Sequence, residues 1–167
     1  MVADLSGPWE VSFPPNLGAP SKPQLSELRP WTESADEGVK YFSGTATYFK
    51  MVQAPKSWFS PGARLLLDLG TVQDLAEVSV NGKTVGILWK PPYRIDVTGT
   101  LKPGENRLEI KVTNQWTNRL IGDRSAPPEK KILAAGGVTP GGMGPTSPTL
   151  PASGLTGPVT LISKTIK

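Results

Sequence analysis

The chain has 167 residues, of which 18 are Gly and 18 are Pro, with 37% hydrophobic residues and a formal net charge of +4. It contains no Cys and no His, which excludes disulfide bonds, a His/Cys zinc site, a Ser-His-Asp triad and an imidazole pH switch. The length predicts a single domain over residues 1–167, and the many turn-forming residues beside an ordinary apolar fraction favour an all-β domain over disorder.

The charges are interspersed along the chain, and the longest basic run is Lys130-Lys131. Nucleic-acid-binding proteins usually concentrate Lys and Arg on one face or in blocks, so we expect no nucleic-acid partner. No stretch approaches the roughly 20 apolar residues of a membrane helix, which predicts no membrane partner. Residues 1–13 lack the charged and apolar regions of a signal peptide. The chain begins almost directly on a strand-like segment, which fits an excised or processed domain, with a native cytosolic start as the alternative.

Alternation of apolar and polar residues with a period of two predicts β-strands along most of the chain. The first strand places Trp9, Val11 and Phe13 on one face. The same pattern recurs in residues 44–51, 63–70, 75–80, 93–97, 107–113 and 158–166. We count eight or nine short strands and little helix, apart from one helical turn that residues 34–38 could form.

Asn81-Gly82 separates residues 75–80 from a return strand, Lys83–Leu88, in which Val85 and Ile87 are predicted to face inward. Asn-Gly between alternating runs is the strongest short signal for a hairpin, because a type I′ turn needs positive φ at both central positions. Long connections at residues 14–43 and 121–158 favour a jelly-roll β-sandwich over a simple meander. The Gly/Pro-rich segment at about 134–158 is predicted to be a long mobile internal loop, pinned by Leu150 and Leu155.

An ordered series of motifs runs through the chain. It comprises GPWEVSF near the start, SADEGVKYFSGTATY (Ser34–Tyr48), DLG (Asp68–Gly70), VNGK (Val80–Lys83), LWKPPYRIDVT (Leu88–Thr98), LKPGEN (Leu101–Asn106), NRLIGD (Asn118–Asp123) and SGLTGPVTL (Ser153–Leu161). Together these motifs resemble the jelly-roll sugar-binding domain of family 2 glycoside hydrolases. They are most similar to the C-terminal domain of the bacterial α-L-rhamnosidases of glycoside hydrolase family 106.

The resemblance implies a galactose-binding-domain-like β-sandwich that is an accessory module of a bacterial, secreted or periplasmic glycoside hydrolase. In such enzymes the catalytic carboxylates lie on a separate barrel domain, and no residue here matches a catalytic motif of the family. The implied partners are a carbohydrate ligand and a glycoside hydrolase catalytic domain. No cofactor is implied beyond the structural calcium that such modules often hold. The chain departs from the rhamnosidases at residues 132–152, which contain no aromatic residue where those enzymes commonly carry one.

Proteins bind sugars by stacking aromatic faces on the ring and by hydrogen bonds from carboxylates, amides and guanidinium groups to adjacent hydroxyls. Candidate residues of both kinds follow the clearest strand, namely Asn114, Trp116, Asn118, Arg119 and Asp123. In a strand-like geometry Asn114, Trp116 and Asn118 would share one face. The alternative is a buried polar corner, in which Arg119 pairs with Asp123 and Trp116 fills the core.

Trp89, Tyr93 and Arg94 form a second candidate group around Pro91-Pro92. The two prolines fix φ and remove two donors, so the segment is not a central strand and could display the aromatic rings as a platform. The alternative is that the prolines turn a corner while Trp89 and Tyr93 plug the end of the sandwich.

Trp31 and Trp58 lie in turn-rich segments and are candidates for exposed sugar platforms. The alternative for each is a loop that its Trp anchors on the core.

Glycoside hydrolysis would need two carboxylates about 5–10 Å apart. Asp36 and Glu37 are neighbours in sequence, while Asp68, Asp74, Glu77 and Asp96 are scattered over predicted strands. Solvated or salt-bridged carboxylates are the expected state, because a facing pair is a matter of tertiary structure. A carbohydrate-binding module is therefore the leading hypothesis. A purely structural module and a stand-alone glycosidase are the alternatives.

Overall fold

A computed structural model describes residues 1–21, 24–25, 27–133 and 149–165. Its strands are β1 (Ala3–Asp4), β2 (Trp9–Ser12), β3 (Gln24–Leu25), β4 (Thr45–Ala54), β5 (Ala63–Asp68), β6 (Thr71–Gln73), β7 (Leu75–Val80), β8 (Lys83–Leu88), β9 (Arg94–Asp96), β10 (Gly104–Thr113), β11 (Gly154–Gly157) and β12 (Thr160–Thr165). The helices are α1 (Glu37–Lys40) and α2 (Thr117–Ser125), and 3-10 turns occur at Trp31–Glu33, Lys56–Phe59 and Pro128–Lys130.

The strands form a β-sandwich whose sheet order does not follow chain order. One sheet has the order β3-β2-β4-β10-β7-β8 and the other β1-β12-β5-β9, while β11 and β6 form a separate ribbon. Side chains from both sheets join one hydrophobic core. The predicted all-β sandwich is therefore confirmed, with twelve strands in the described residues in place of eight or nine. Several of the additional strands have two or three residues, too few for alternation to be visible.

The strongest alternating segments became the inner faces of the central strands. In β10 the side chains of Leu108, Ile110 and Val112 are fully buried, and in β5 those of Leu65 and Leu67 are too. β10 pairs along its whole length with β4 on one side, and with β7 on the other. Burial of alternate residues on both partners fixes this register, because a slip by one residue would turn the apolar set to solvent.

The hairpin between β7 and β8 forms as predicted, with φ of 53° at Asn81 and 80° at Gly82. The inward orientation predicted for Ile87 is wrong, because its side chain is 54% exposed. The pairing of β7 with β8 shifts by one residue between Val78 and Ser79. A bulge of this kind reverses the facing of every residue beyond it, so Leu88 contacts the core in place of Ile87.

Helix α2 was not predicted, since residues 113–123 were interpreted in a strand-like geometry. The buried residues of α2 are Asn118, Arg119, Gly122 and Asp123, so its inner face is polar and leaves no apolar stripe to detect. The helical turn predicted at residues 34–38 lies slightly further along the chain as α1. There the Asp36 side chain caps the helix by accepting from the Val39 amide at 3.1 Å.

The long loop predicted at about 134–158 falls largely on residues 134–148, which lie outside the described residues. Its last part differs from the prediction, because Gly154–Gly157 forms β11 and pairs with β6. Leu155 is fully buried and holds this end of the segment on the core, as expected.

Candidate functional site

Strand pairing brings three predicted segments to the same end of the sandwich. Thr113 at the end of β10 lies opposite Leu75 at the start of β7, and Ala76 lies opposite Leu88 at the end of β8. The connections β6–β7, β8–β9 and β10–α2 therefore emerge together. A cleft of about 220 Å³, here named the end cleft, lies at this position and is lined by Gln73, Asp74, Asn114, Gln115, Thr117, Asn118, Pro151 and Ala152.

Asn118, which lines the end cleft, carries a buried side-chain acceptor without a partner among the described residues. Its side chain is only 2% exposed, and Nδ2 donates to the Pro151 carbonyl at 3.0 Å and to Ser153 Oγ at 3.3 Å. A carbonyl only accepts, so these bonds fix the orientation of the amide. The remaining atom, Oδ1, makes no hydrogen bond. A ligand hydroxyl in the cleft would satisfy it, which a buried acceptor requires.

Asp74 brings a carboxylate to the same cleft, and its backbone is held on both sides. Its amide donates to the Thr113 carbonyl at 2.9 Å, and its carbonyl accepts from the Tyr93 hydroxyl at 3.3 Å. Within the described part of the chain, none of the ion pairs involves Asp74. Asp74 was not among the predicted sugar contacts, although its position between two short strands was a signal that could have found it.

Asn114 lines the cleft but both of its polar atoms are used within the protein. Oδ1 accepts from the Gly44 amide at 2.9 Å, and Nδ2 donates to the Phe42 carbonyl at 2.9 Å. This side chain therefore clamps the β10–α2 connection to the loop before β4. It shapes the cleft, and the second N–H of its Nδ2 atom is the one donor that it could offer a ligand.

Two tryptophans at this end of the sandwich are exposed. Trp116, between two lining residues, is 53% exposed, and Trp89 is 67% exposed with Lys90 Nζ 5.0 Å from the centre of its ring. The alternatives in which Trp116 fills the core and Trp89 plugs the sandwich are therefore wrong. Trp89 follows β8, which lies two strands from β10, so about 10 Å separates the two strands.

The other two residues of the proline corner are held within the protein. Tyr93 is half-buried, packs against the core and donates to the Asp74 carbonyl. The Arg94 Nε atom lies 2.6 Å from Asp68 Oδ2, and the Asp68 side chain is only 15% exposed. The corner thus supports the end of the sandwich while Trp89 projects from it.

Arg119 and Asp123 form a buried ion pair and do not line the end cleft. Arg119 Nε lies 2.9 Å from Asp123 Oδ1, in an approach that lacks hydrogen-bond alignment. The Asp123 carboxylate also accepts from the amides of Ile132 at 3.2 Å and Leu133 at 2.8 Å. The chain becomes helical at Thr117. The helix brings Arg119 and Asp123, four residues apart, onto one face, and it makes the predicted strand-like face of Asn114, Trp116 and Asn118 wrong.

Trp31 is a core residue, so its prediction as an exposed platform is wrong. It is 1% exposed and packs edge-on against Phe13 and Phe42, with its ring stacked on Tyr48. Its Nε1 donates to the Tyr48 hydroxyl at 2.6 Å. The alternative, a Trp that anchors its loop on the core, is confirmed here.

Trp58 is half-buried against the core and is not part of the end cleft. It follows β4, whose last residue Ala54 lies opposite Gly104, at the end of the sandwich away from Thr113. The structure therefore does not bring Trp58 together with Trp89 and Trp116.

Most of the carboxylates considered for hydrolysis are paired with cations. Asp68 contacts Arg94, and the pairs Arg64–Asp96 and Lys111–Glu77 are 3.0 Å and 3.2 Å apart. Asp74 is the single carboxylate among the described residues that line the end cleft. No group of three or more acidic, His or Cys side chains suited to a metal occurs in the described ranges. None of the helices described is long and apolar enough to cross a membrane.

Comparison with known proteins identifies the domain type. A rhamnosidase from Novosphingobium sp. PP1Y has a similar structure over 98% of this chain, with a TM-score of 0.82 and 43% identity. A Formosa agariphila protein with the provisional name beta-glucuronidase is 52% identical over 123 residues, or 74% of the chain. A beta-D-glucuronidase from Dictyoglomus thermophilum shares the fold, with a TM-score of 0.57 and 24% identity over 68% of the chain.

The chain spans only a small part of these proteins, namely 15% of the rhamnosidase, 11% of the Formosa protein and 20% of the Dictyoglomus enzyme. The predicted similarity to family 2 sugar-binding domains and to a rhamnosidase is confirmed. A family described as glycosyl hydrolase 2 galactose-binding domain-like matches residues 29–138. The chain belongs to this family of galactose-binding-like domains of glycoside hydrolases.

Proposed function

We propose that the chain is a non-catalytic, carbohydrate-binding accessory module of an α-L-rhamnosidase-like glycoside hydrolase that acts on a plant or bacterial polysaccharide. The end cleft is the proposed binding site. The observation that carries the proposal is the unpartnered, buried Oδ1 atom of Asn118 in a polar cleft beside the exposed Trp116.

The chemistry of the cleft suits a sugar ring. Asn118 Oδ1 and the Asp74 carboxylate accept hydrogen bonds, and adjacent sugar hydroxyls donate them. Trp116 offers an aromatic face on which the apolar side of the ring stacks. The side chains of Gln73 and Gln115 add amides that both donate and accept. Binding of a hydroxyl to Asn118 removes the cost of a buried acceptor that lacks a donor.

The relatives allow two classes of sugar for this site. The rhamnosidase is named for a neutral sugar, and the Formosa protein is provisionally named for an acidic one. Under the proposed function either class would place its terminal unit in the end cleft.

Titration of the intact chain with a panel of plant and bacterial oligosaccharides tests the proposal, with binding followed by calorimetry and Trp fluorescence. We expect Trp116→Ala to weaken binding by about two- to tenfold, since aromatic stacking contacts contribute about 0.5–1.5 kcal/mol beyond the area that they bury. Trp89→Ala is the control, because Trp89 is also exposed but follows β8, two strands from β10, whereas Trp116 stands between the lining residues Gln115 and Thr117. A folded protein that binds no glycan would overturn the proposal.

A structural module that supports a catalytic domain is the second candidate. The observation that favours it is an exposed apolar pair, Ile87 on edge strand β8 and Trp89 directly after it, in a chain that spans 15% of the rhamnosidase. In that case glycan binding is absent, and Ile87→Ser lowers aggregation of the isolated domain. The stand-alone glycosidase is disfavoured by the single carboxylate in the described lining of the cleft.

The proposed substrate also bears on location. A polysaccharide-binding module acts in a compartment that contains polysaccharide. We therefore propose that the protein is secreted or periplasmic in a bacterium. Fractionation of the source cells with an antibody against this domain tests it, and recovery in the cytoplasmic fraction alone would contradict it.

A further inference from the structure

The end cleft has an unbalanced charge. Among the described residues that line it, Asp74 supplies a carboxylate, and there is no Lys or Arg. The nearest cation along α2, Arg119, is buried and faces Asp123 at 2.9 Å, so its charge is compensated away from the cleft.

The N-terminus of α2 is a feature of the described cleft lining that favours an anion. Thr117 and Asn118 are its first residues, and both line the cleft. The aligned peptide dipoles of a helix act as roughly +0.5 charge at this end. The carboxylate of Asp74 carries a full negative charge, so the sum at the cleft remains negative.

Two of the cleft's hydrogen-bonding groups, Asn118 Oδ1 and the Asp74 carboxylate, are acceptors. Asn118 Oδ1 has no donor, and a carboxylate such as that of Asp74 accepts only. At Asn118 Oδ1 and the Asp74 carboxylate, a ligand must therefore bring donors. Adjacent sugar hydroxyls do so, whereas a second carboxylate would bring acceptors and a like charge.

The volume of the cleft limits how much of a ligand enters. Its 220 Å³ is less than the roughly 300–1,000 Å³ of pockets that enclose drug-sized ligands. A single ring fits this description better than several rings of a chain do.

From these observations we propose that the end cleft selects an electrically neutral sugar unit at the end of a chain or branch, and discriminates against uronic acids. This inference rests on the proposed carbohydrate-binding function. Its physical basis is the Asp74 carboxylate, which repels the ligand's carboxylate, together with Asn118 Oδ1, which requires a hydroxyl donor.

Matched pairs of probes that differ at one carbon test the inference on the intact chain. The first pair is methyl β-D-glucopyranoside and its glucuronide, and the second is methyl β-D-galactopyranoside and its galacturonide; methyl α-L-rhamnopyranoside is added as a further neutral probe. NMR titration measures each dissociation constant. We expect the neutral member of a bound pair to bind at least tenfold more tightly than its uronide.

Variants then assign the discrimination to Asp74. We expect Asp74→Asn to reduce the neutral-to-uronide ratio to below threefold, whatever its effect on affinity. Glu77→Gln is the control, because Glu77 pairs with Lys111 on the sheet surface outside the cleft and should leave the ratio unchanged. Should Asp74→Asn fail to fold, the intact chain decides. Its ratio should fall as salt is raised from about 0.01 M to about 1 M, because salt screens exposed charges.

The outcomes separate the two proposals. A uronide that binds as tightly as its neutral partner, or a ratio that neither Asp74→Asn nor salt changes, overturns the inference and leaves carbohydrate binding intact. Failure of every neutral and acidic probe to bind the folded chain, together with failure of the oligosaccharide panel, overturns the proposed function and the inference with it.

Discussion

Tyr48 connects the aromatic core to strand β11. Its hydroxyl accepts from Trp31 Nε1 at 2.6 Å and from the Leu155 amide at 3.2 Å. The backbone of Trp31 is tied to the same segment, because its amide donates to the Ser153 carbonyl at 3.0 Å. Tyr48 thus holds β11, and with it one wall of the end cleft, on the core.

Replacement of Tyr48 by Phe should therefore destabilise the fold although it removes a single atom. Two buried donors lose their acceptor, and each unsatisfied group costs about 1–3 kcal/mol. We expect the free energy of unfolding in urea to fall by at least 2 kcal/mol, to order of magnitude. Tyr41→Phe is the control, since Tyr41 is only half-buried; it should change stability by less than about 0.5 kcal/mol. Equal effects of the two variants would contradict this role of Tyr48.

Tyr48 also makes stability depend on pH in the alkaline range. Burial disfavours the phenolate and raises the pKa of Tyr48 from 10.0 to about 12. Below pH 10 the Tyr48 hydroxyl is protonated in both the folded and the unfolded protein, so its contribution to stability is fully present. As the pH rises from 10 towards 12 the unfolded chain loses this proton while the folded protein keeps it, so stability decreases.

We expect this loss to reach about 1.4 kcal/mol at pH 11, one unit above the unfolded pKa. Unfolding measured at pH 9 and at pH 11 in the wild type and in Tyr48→Phe isolates it from the Lys titrations that both proteins share. An identical pH dependence in the two proteins would show that Tyr48 is not protected from ionisation.

The Arg119–Asp123 pair is a second residue-scale test. The side chains of Arg119 and Asp123 are 7% and 10% exposed, so Arg119→Met leaves a buried carboxylate without its cation. Such an unpaired charge costs about 3–5 kcal/mol. Lys111→Met is the control, because the Lys111–Glu77 pair lies on the surface and its loss should cost at most about 1 kcal/mol. Thermal unfolding measures the loss of stability in both variants. Similar losses would show that the Arg119–Asp123 pair contributes no more than a surface ion pair.

At the scale of elements, the β7–β8 hairpin depends on its two turn residues in different ways. The Asn81 side chain holds the turn on the adjacent loop: Nδ2 donates to the Thr100 carbonyl and to Asn106 Oδ1, while Oδ1 accepts from the Arg107 amide. Gly82 makes no such contacts and serves through its positive φ of 80° alone.

The contribution of backbone conformation at the turn is measurable with two glycines. A Cβ atom would meet nothing within 4 Å at Gly82 or at Gly99, and of the two Gly82 alone has a positive φ. Gly82→Ala should cost about 1–2 kcal/mol for the left-handed conformation, with no steric clash. Gly99→Ala should lie within about 0.5 kcal/mol of wild type or be slightly more stable. Equal effects in urea unfolding would show that φ at residue 82 does not limit the hairpin.

At the scale of the whole molecule, the tryptophans divide by position. Trp9 and Trp31 are in the core, Trp58 is half-buried on it, and Trp89 and Trp116 are exposed at the end of the sandwich that carries the cleft. The sequence shows five Trp residues but does not distinguish the buried ones from the exposed ones.

Acrylamide quenching of Trp fluorescence should therefore act mainly on two residues. We expect the double variant Trp89→Phe, Trp116→Phe to lose most of the quenching, because the rings that remain are largely shielded from solvent. Trp58→Phe alone should have a small effect. Quenching that survives the double replacement would place Trp9 or Trp31 within reach of solvent and contradict this arrangement of the core.

The sequence by itself determined the strands, the hairpin and the domain family. Alternation of the kind seen in Leu108, Ile110 and Val112 has one physical meaning, a strand with one buried face, and Asn81-Gly82 permits the turn that few other residue pairs adopt. These signals are local, so they can be read from the sequence without knowing which strands pack beside them. The polar inner face of α2 and the bulge in β8 carry no such signal, because contacts from other strands stabilise them.

The tertiary structure alone decided which residues share a site. Asp74, Asn118 and Pro151 come from three separate stretches of chain. They meet at one cleft because β6 and β10 end, and β11 begins, at the same side of the sandwich. The predicted residues Trp31 and Trp58 were separated from it by burial and by strand direction. Exposure and proximity depend on the register of distant strands, which long-range packing sets, and a linear pattern of residue types does not contain that information.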